Sequence, residues 1–336
     1  MSRSATIEGL RKFRTKLLRE RDPWQDTSRR FRIRRFAGPE CFLEHLEGVR
    51  VAHLTDLHVG RVTPMAVQYD AVSMTNAGKP DIVVISGDFV CHSQVYLDDL
   101  TDVISKIDAP VFAVLGNHDH WAGAEPVRQA LRRGGAEVLD NAHTSITIGH
   151  QPLQVVGLDD AYTGHADRRE ALKGLRADLP VIALSHIAEE ADALWEEGVP
   201  LVFSGHTHAG QVTVARLHEL SVGKLAGHKY IHGLYGSRDA EDKKGAVYVG
   251  AGVGAAIVPL RLGERAKREV AFFELGAQPG SFDEHHSEQA AHRGRVPSPK
   301  TKERRAQAVL RKQERRERKN GNGNGNGNGK GARFNP

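Results

Sequence analysis

Cysteine is nearly absent from this 336-residue chain, which has only Cys41 and Cys91. Two thiols cannot build a disulfide framework, and their separation does not fit a thiolate zinc site, so both are read as reduced cysteines. No run of about 18 apolar residues occurs, which leaves a membrane-spanning helix unexpected. The opening stretch MSRSATIEGLRKFRTKLLRERD alternates apolar and basic residues and has no continuous apolar core of a secretory signal. The expected location is therefore the cytoplasm. Aromatics make up 6% of the chain and form no aromatic-rich basic module of the kind that binds nucleic acid.

Charge is unevenly spread. Residues 1–36 carry 12 Lys/Arg against 4 Asp/Glu, and residues 293–336 carry 14 against 3. With a net charge of +5 overall, the remaining body is acidic and its two ends are basic. An acidic body suits a site that gathers cations, and basic ends suit anionic surfaces. Ile7, Leu10, Phe13 and Leu17 stand at helical spacing among Arg and Lys. This spacing predicts a basic amphipathic helix able to lie on the inner face of a membrane.

From residue 49 the texture becomes strand, loop, helix. Short runs rich in Val, Ile and Leu predict strands at Val49–Thr55, Asp81–Ser86, Pro110–Leu115, Leu153–Leu158, Val181–Ser185 and Leu201–Ser204. Helix-length stretches separate several of them, and glycine-rich β segments follow at Gln211–Ala215, Ala246–Gly250 and Val270–Glu274. The alternation predicts an α/β fold with buried sheets. Residues 277–336 read as a disordered, low-complexity basic tail ending in GNGNGNGNG. The expected division is a basic amphipathic extension over 1–36, a single domain over 37–276 and the tail.

Five polar motifs close five of the apolar runs: Asp56-Leu57-His58, Gly87-Asp88, Gly116-Asn117-His118-Asp119, Ser185-His186 and Gly205-His206-Thr207-His208. Ligands bind beyond the carboxyl ends of strands in open α/β sheets, so these loops should converge. Carboxylate oxygen, imidazole nitrogen and one amide oxygen suit divalent first-row metals. On an extended strand end, Asp56 and His58 would point to one side and grip one ion, as would His206 and His208. The neighbouring glycines would let the chain turn sharply and a substrate approach.

In this order and spacing the residues resemble the calcineurin-like metallophosphoesterase superfamily over roughly residues 48–275. The phrases LTDLHVG, GNHDHW, SGHTHAGQ and HGLYG resemble a bacterial branch of membrane-associated phosphoesterases that includes one type of UDP-2,3-diacylglucosamine hydrolase. The resemblance implies a two-sheet sandwich flanked by helices and two divalent metal ions, manganese, iron or zinc. It implies that Asp56, His58, Asp88 and His208 hold the first metal, and that Asp88 bridges to a second completed by Asn117, His186 and His206. His118 would stand over the leaving group as general acid, with Asp119 orienting it. Two cations about 4 Å apart would share a water, lower its pKa and neutralise the phosphoryl oxygens.

The chain departs from the family pattern at Ile187-Ala188 after His186 and at Ala209, where a glycine is usual. Arg261, Lys229, Tyr230 and Tyr235 are candidate substrate contacts, Arg261 as a bidentate phosphate clamp. The expected partner is a phosphoester, lipid-linked in some relatives of that branch. The basic termini are expected to serve as membrane or nucleic-acid contacts. A nuclease or cyclic-nucleotide phosphodiesterase is the alternative. A non-catalytic scaffold of the same fold is disfavoured, because no ligand of the motif set has been lost.

Overall fold

Runs such as Ile82-Val83-Val84-Ile85 carry no polar alternation because both faces of the central strands are covered, the condition under which parallel strands become continuously apolar. The structure, a computed structural model, describes residues 30–210, 226–241, 244–255, 261, 263–282 and 288–323. Strands β1 (Phe31–Ala37), β2 (Val49–Leu54), β3 (Ile82–Ser86), β4 (Val111–Val114) and β5 (Ala136–Val138) join β12 (Arg268–Leu275) in one sheet, ordered β1-β12-β2-β3-β4-β5. Strands β6 (Ala142–Ile148), β7 (Gln151–Gly157), β8 (Val181–Leu184), β9 (Leu201–Ser204), β10 (Gly233–Gly236) and β11 (Ala246–Val249) form the other, ordered β10-β11-β9-β8-β7-β6. Strands β2 to β5 run parallel, as do β7, β8, β9 and β11.

Between the sheets, Val51, Val84 and Phe112 of the first meet Leu153, Ile182, Phe203 and Tyr248 of the second. Helices α1 (Met65–Ala77), α2 (Leu97–Ile104), α3 (Asn117–Ala122) and α4 (Ala124–Arg133) cover the outside of the first sheet, where Met74, Leu100 and Leu131 pack on Val83, Ile85 and Val111. On the outside of the second lie α5 (Arg168–Ala171) and α6 (Ala191–Glu196), with Leu194 and Trp195 against Val202 and Val247. Each fully buried Leu, Ile or Phe contributes roughly 1.5–3 kcal/mol, so this layering fixes the strand ends to which the motifs are attached. The two-sheet sandwich flanked by helices is as expected.

Three differences have physical reasons. Strand β1 lies almost wholly inside the stretch read as an N-terminal extension; its three arginines hide the strand pattern. One of them, Arg34, is buried because its Nε donates to Glu269 Oε2 at 2.6 Å. Strand β6 is half-exposed and polar, which masks it in sequence. The third is helix α7 (Pro299–Gly323), which stands inside the tail read as disordered. An apolar stripe is indeed missing from it, apart from buried Val309. Its cations do the packing: the Arg305 guanidinium lies 3.8 Å from the Tyr162 ring centre and the Lys312 ammonium 4.1 Å from that of Trp121. The amphipathic helix expected over 7–21 and the strand expected at Gln211–Ala215 lie outside the described residues.

Candidate active site

The motifs following β2, β3 and β4 come from one sheet and those following β8 and β9 from the other, and hydrogen bonds sew the two groups together. His206 N donates to Asp56 Oδ2 at 3.1 Å, and His186 Nδ1 pairs with Ser86 O at 2.7 Å. These loops are not extended. Asp56, His58, Asp88, His206 and His208 all have positive φ, between 45° and 74°. The expectation that Asp56 and His58 converge because alternate residues of a strand share a side is corrected: left-handed turns aim them. Such backbone costs of order 1–3 kcal/mol per residue and persists where surroundings over-determine it. Here Asp56 N donates to Gly87 O and His58 N to Asp88 O, at 3.0 and 2.9 Å. The glycines serve the ligands rather than a substrate, since a Cβ on Gly116 would overlap the Asp88 carboxylate and one on Gly205 that of Asp56.

Three overlapping clusters able to hold a metal ion result: Asp56, His58 and His208; Asp88, His186 and His206; and His58, Asp88 and His118, which shares a residue with each of the first two. In the first, His58 Nε2 lies 3.0 Å from His208 Nε2, and His208 Nε2 lies 3.3 Å from Asp56 Oδ1. In the second, His186 Nε2 is 3.3 Å from both Asp88 Oδ2 and His206 Nδ1. Asp88 Oδ2 also lies 3.7 Å from His58 Nε2, so it faces both clusters. Asn117 opens α3 beside them, with its Oδ1 buried and without a hydrogen-bond partner, as is Asp56 Oδ1.

The electrostatics call for a cation. Asp56 and Asp88 are 0% and 1% exposed, and among the described residues no Lys or Arg lies within ion-pair distance of either. Burial pulls His58 and His208 down to about 3, which leaves two neutral imidazoles facing each other. Burial alone would lower His186 too, but the carboxylates of Asp88, Asp56 and Asp160 outweigh it and push the imidazole up to about 10. Buried carboxylates with orphaned oxygens and imidazole nitrogens directed at one another fit divalent first-row cations.

His118 and Asp119 have different surroundings from those expected. His118 Nε2 lies 3.9 Å from Asp88 Oδ2, at the edge of the clusters. Its Nδ1 pairs with Cys91 O at 2.7 Å, so a backbone carbonyl orients the ring, not Asp119. Asp119 instead accepts from the backbone N–H groups of Phe89, Val90 and Gly116 at 2.9–3.1 Å, tying the loop after β3 to the loop after β4.

The expected substrate contacts are otherwise engaged. Arg261 donates through Nη1 to Ala251 O and Ala266 O and through Nη2 to Gly254 O, which leaves no free fork for a phosphate. It braces the loop at Gly252, where an added Cβ would come within 2.8 Å of the Asp56 Cβ. Lys229 Nζ lies 2.7 Å from both Asp192 oxygens, and Tyr230 OH donates to Asp192 Oδ1 at 2.8 Å. Tyr235 OH accepts from Ile231 N and His232 N. Sequence reasoning missed the aromatic rim. Trp121 and His92 have ring centres 4.8 and 4.4 Å from that of His118, and Tyr162 and His228 lie 5.3 and 5.2 Å from His206. Only Trp121 had a signal, its place directly after the Gly-Asn-His-Asp-His run.

Comparison with known proteins identifies the family. Residues 49–210 match the family model of the calcineurin-like phosphoesterases. Phosphodiesterase YaeI of Escherichia coli strain K12 is 30% identical over 242 residues, covering 70% of this chain and 84% of that protein. A UDP-2,3-diacylglucosamine pyrophosphatase, LpxG of Chlamydia muridarum, is 25% identical over 260 residues, covering 62% and 79%. Among solved structures, the NAD nucleotidase NadN of Haemophilus influenzae overlaps at 15% identity and a TM-score of 0.45, covering 62% of this chain and 51% of its own. Carrying the family's motifs on the strand ends where its fold would use them, the chain belongs to the calcineurin-like phosphoesterases.

Proposed function

We propose that the chain is a two-metal phosphoesterase that cleaves a phosphodiester or a pyrophosphate. Asp56, His58, Asp88 and His208 would hold one divalent cation, and Asp88, Asn117, His186 and His206 the other. The observation that carries this reading is Asp88 Oδ2, a single oxygen 3.3 Å from His186 Nε2 and 3.7 Å from His58 Nε2. When bound, such cations neutralise phosphoryl oxygens and lower the pKa of a coordinated water.

The protein's own groups supply the rest. The Oδ1 of Asp88 accepts from His118 N at 2.8 Å, which orients the carboxylate and leaves Oδ2 to hold a cation. Ser86 O holds the Nδ1 proton of His186 and so directs Nε2 inward, the usual outer support of an imidazole ligand. His118, oriented by Cys91 O, presents Nε2 to the cluster edge, where in its protonated form it gives a proton to the departing oxygen. Trp121 and His92 pack against its ring and limit access of water. Both named relatives act on diesters or pyrophosphates, which supports that substrate class over monoesters. Among the described residues no helix is long and apolar enough to cross a membrane. A lipid-linked substrate would be met through the basic N-terminal stretch, whose Lys and Arg suit an anionic surface.

The test is to strip the protein with chelator, reload it with manganese, iron or zinc, and assay bis(p-nitrophenyl) phosphate, a cyclic nucleotide and UDP-diacylglucosamine. Turnover restored by at least one metal on at least one of the three is expected. A fully loaded protein that hydrolyses none of them overturns the reading.

A further inference from the structure

The C-terminal arm does more than cover the domain. Residues 289–295 run beside the segment 227–234: Gln289 N donates to Leu234 O, His292 N to Lys229 O and Arg295 N to Gly227 O, at 2.7–2.9 Å. The arm then turns into α7, whose Arg305 stacks on Tyr162. Between arm and domain lies a cavity of about 460 Å³ with Tyr162 and His228 in its wall. Both rings stand within 5.3 Å of the His206 ring, so the cavity borders the metal clusters.

Its charge is predominantly positive. Arg293, Arg295, Lys302 and Arg305 line it. The acids of the same wall have other partners: Glu189 accepts from His228 and Lys229 N, Glu190 pairs with Arg168, and Asp192 pairs with Lys229. Among the described residues no carboxylate lies within ion-pair distance of the four arm cations. The first turn of α7, which also borders the cavity, contains no acidic residue to meet its positive end. Four cations gathered around one cavity with no carboxylate in ion-pair contact are the setting in which guanidinium and ammonium groups take up a phosphate.

We propose that the arm builds a second anion subsite, which receives a non-scissile phosphate of the substrate while the scissile one lies at the metal clusters. This rests on the phosphoesterase reading and adds a substrate requirement, a second phosphate, and a set of positioning residues, Arg293, Arg295, Lys302 and Arg305. No covalent step takes place there.

The test uses the full chain. Metal-stripped protein is titrated with inorganic phosphate by calorimetry at low ionic strength; without metal, the buried Asp56 and Asp88 carboxylates disfavour this probe at the clusters. Wild type binds, the double variant Arg295→Ala/Arg305→Ala binds about tenfold or more weakly, and Arg295→Lys/Arg305→Lys recovers most of the loss. Circular dichroism melts confirm that each variant folds. In the loaded enzyme, the double alanine variant raises KM for a substrate with two phosphates at least about fivefold relative to KM for bis(p-nitrophenyl) phosphate, with little change in the ratio of kcat values. Absence of phosphate binding by wild type, equal binding by the alanine variant, or an unchanged KM ratio overturns the subsite. Loss of the phosphoesterase reading would show differently, as no turnover of any ester by loaded wild type while phosphate still binds the stripped protein.

Discussion

The two sheets bring different chemistry to one site. Loops of the first sheet supply both carboxylates, the amide and two imidazoles, through Asp56, Asp88, Asn117, His58 and His118; loops of the second supply only imidazoles, through His186, His206 and His208. The clusters Asp56, His58, His208 and Asp88, His186, His206 nevertheless each draw on both sheets. The carboxylates thus belong to one half of the sandwich, and the other half contributes imidazoles alone. Away from the site a second cross-sheet tie exists without a metal. Glu269 of β12 pairs with Arg34 of β1 and also accepts from Tyr248 of β11 at 2.8 Å, with His232 Nε2 3.0 Å away.

The sharpest test of this asymmetry compares Asp88→Asn with His206→Ala. The first removes the shared charge and should lower kcat/KM by roughly 10³ or more, whereas the second removes a neutral ligand and should cost nearer 10². Equal losses under saturating manganese would break the comparison. His118→Asn comes next. Metal content, read by elemental analysis, should be retained. Turnover should fall by about 10² for an alkoxide leaving group and much less for p-nitrophenolate. Uniform slowing would remove His118 from the role of acid.

Glu269→Gln tests the tie that needs no metal. Burial raises the Glu269 pKa, but His232 and Arg34 outweigh it and hold the carboxyl well below its ordinary 4.5. A depressed folded pKa contributes stability that is present above the unfolded value and lost as pH falls through the folded one. The variant should therefore lose on the order of 3 kcal/mol at neutral pH by urea melts, and the difference should shrink steadily below about pH 4.5. A difference that stays constant into acid would assign the effect to packing. Chelation of the loaded wild type should cost about 2.7 kcal/mol at a free metal concentration a hundred times Kd, and cost Asp88→Asn much less. The smallest effect is at Ala209, buried at φ 52° where the family usually has glycine. Ala209→Gly relieves a left-handed alanine at the cost of chain entropy, and a gain of about 0.5–1 kcal/mol in melts is expected.

Much of the site could be read in advance because its chemistry is local. Each ligand stands within a few residues of the end of an apolar run, and such runs become strands whose carboxyl ends face one way. The orientation of those ligands was not legible: the left-handed turns at Asp56 and Asp88 depend on hydrogen bonds to a neighbouring loop 30 residues away. Asp119 and Arg261 were misplaced for the same reason. A carboxylate or guanidinium in a loop has many partners within reach, and sequence cannot tell which one burial will enforce.

The amino-acid sequence by itself determined the strand-and-helix alternation, the acidic body between basic ends and the kinds of side chain that meet at the site, since these follow from periodicity, charge and side-chain chemistry. Only the tertiary structure decided that Asp88 faces both clusters, that Cys91 O rather than Asp119 orients His118, and that the basic arm returns to the rim of the site. Those facts depend on which distant segments pack together, a choice made by the whole apolar core and not by any one stretch of chain.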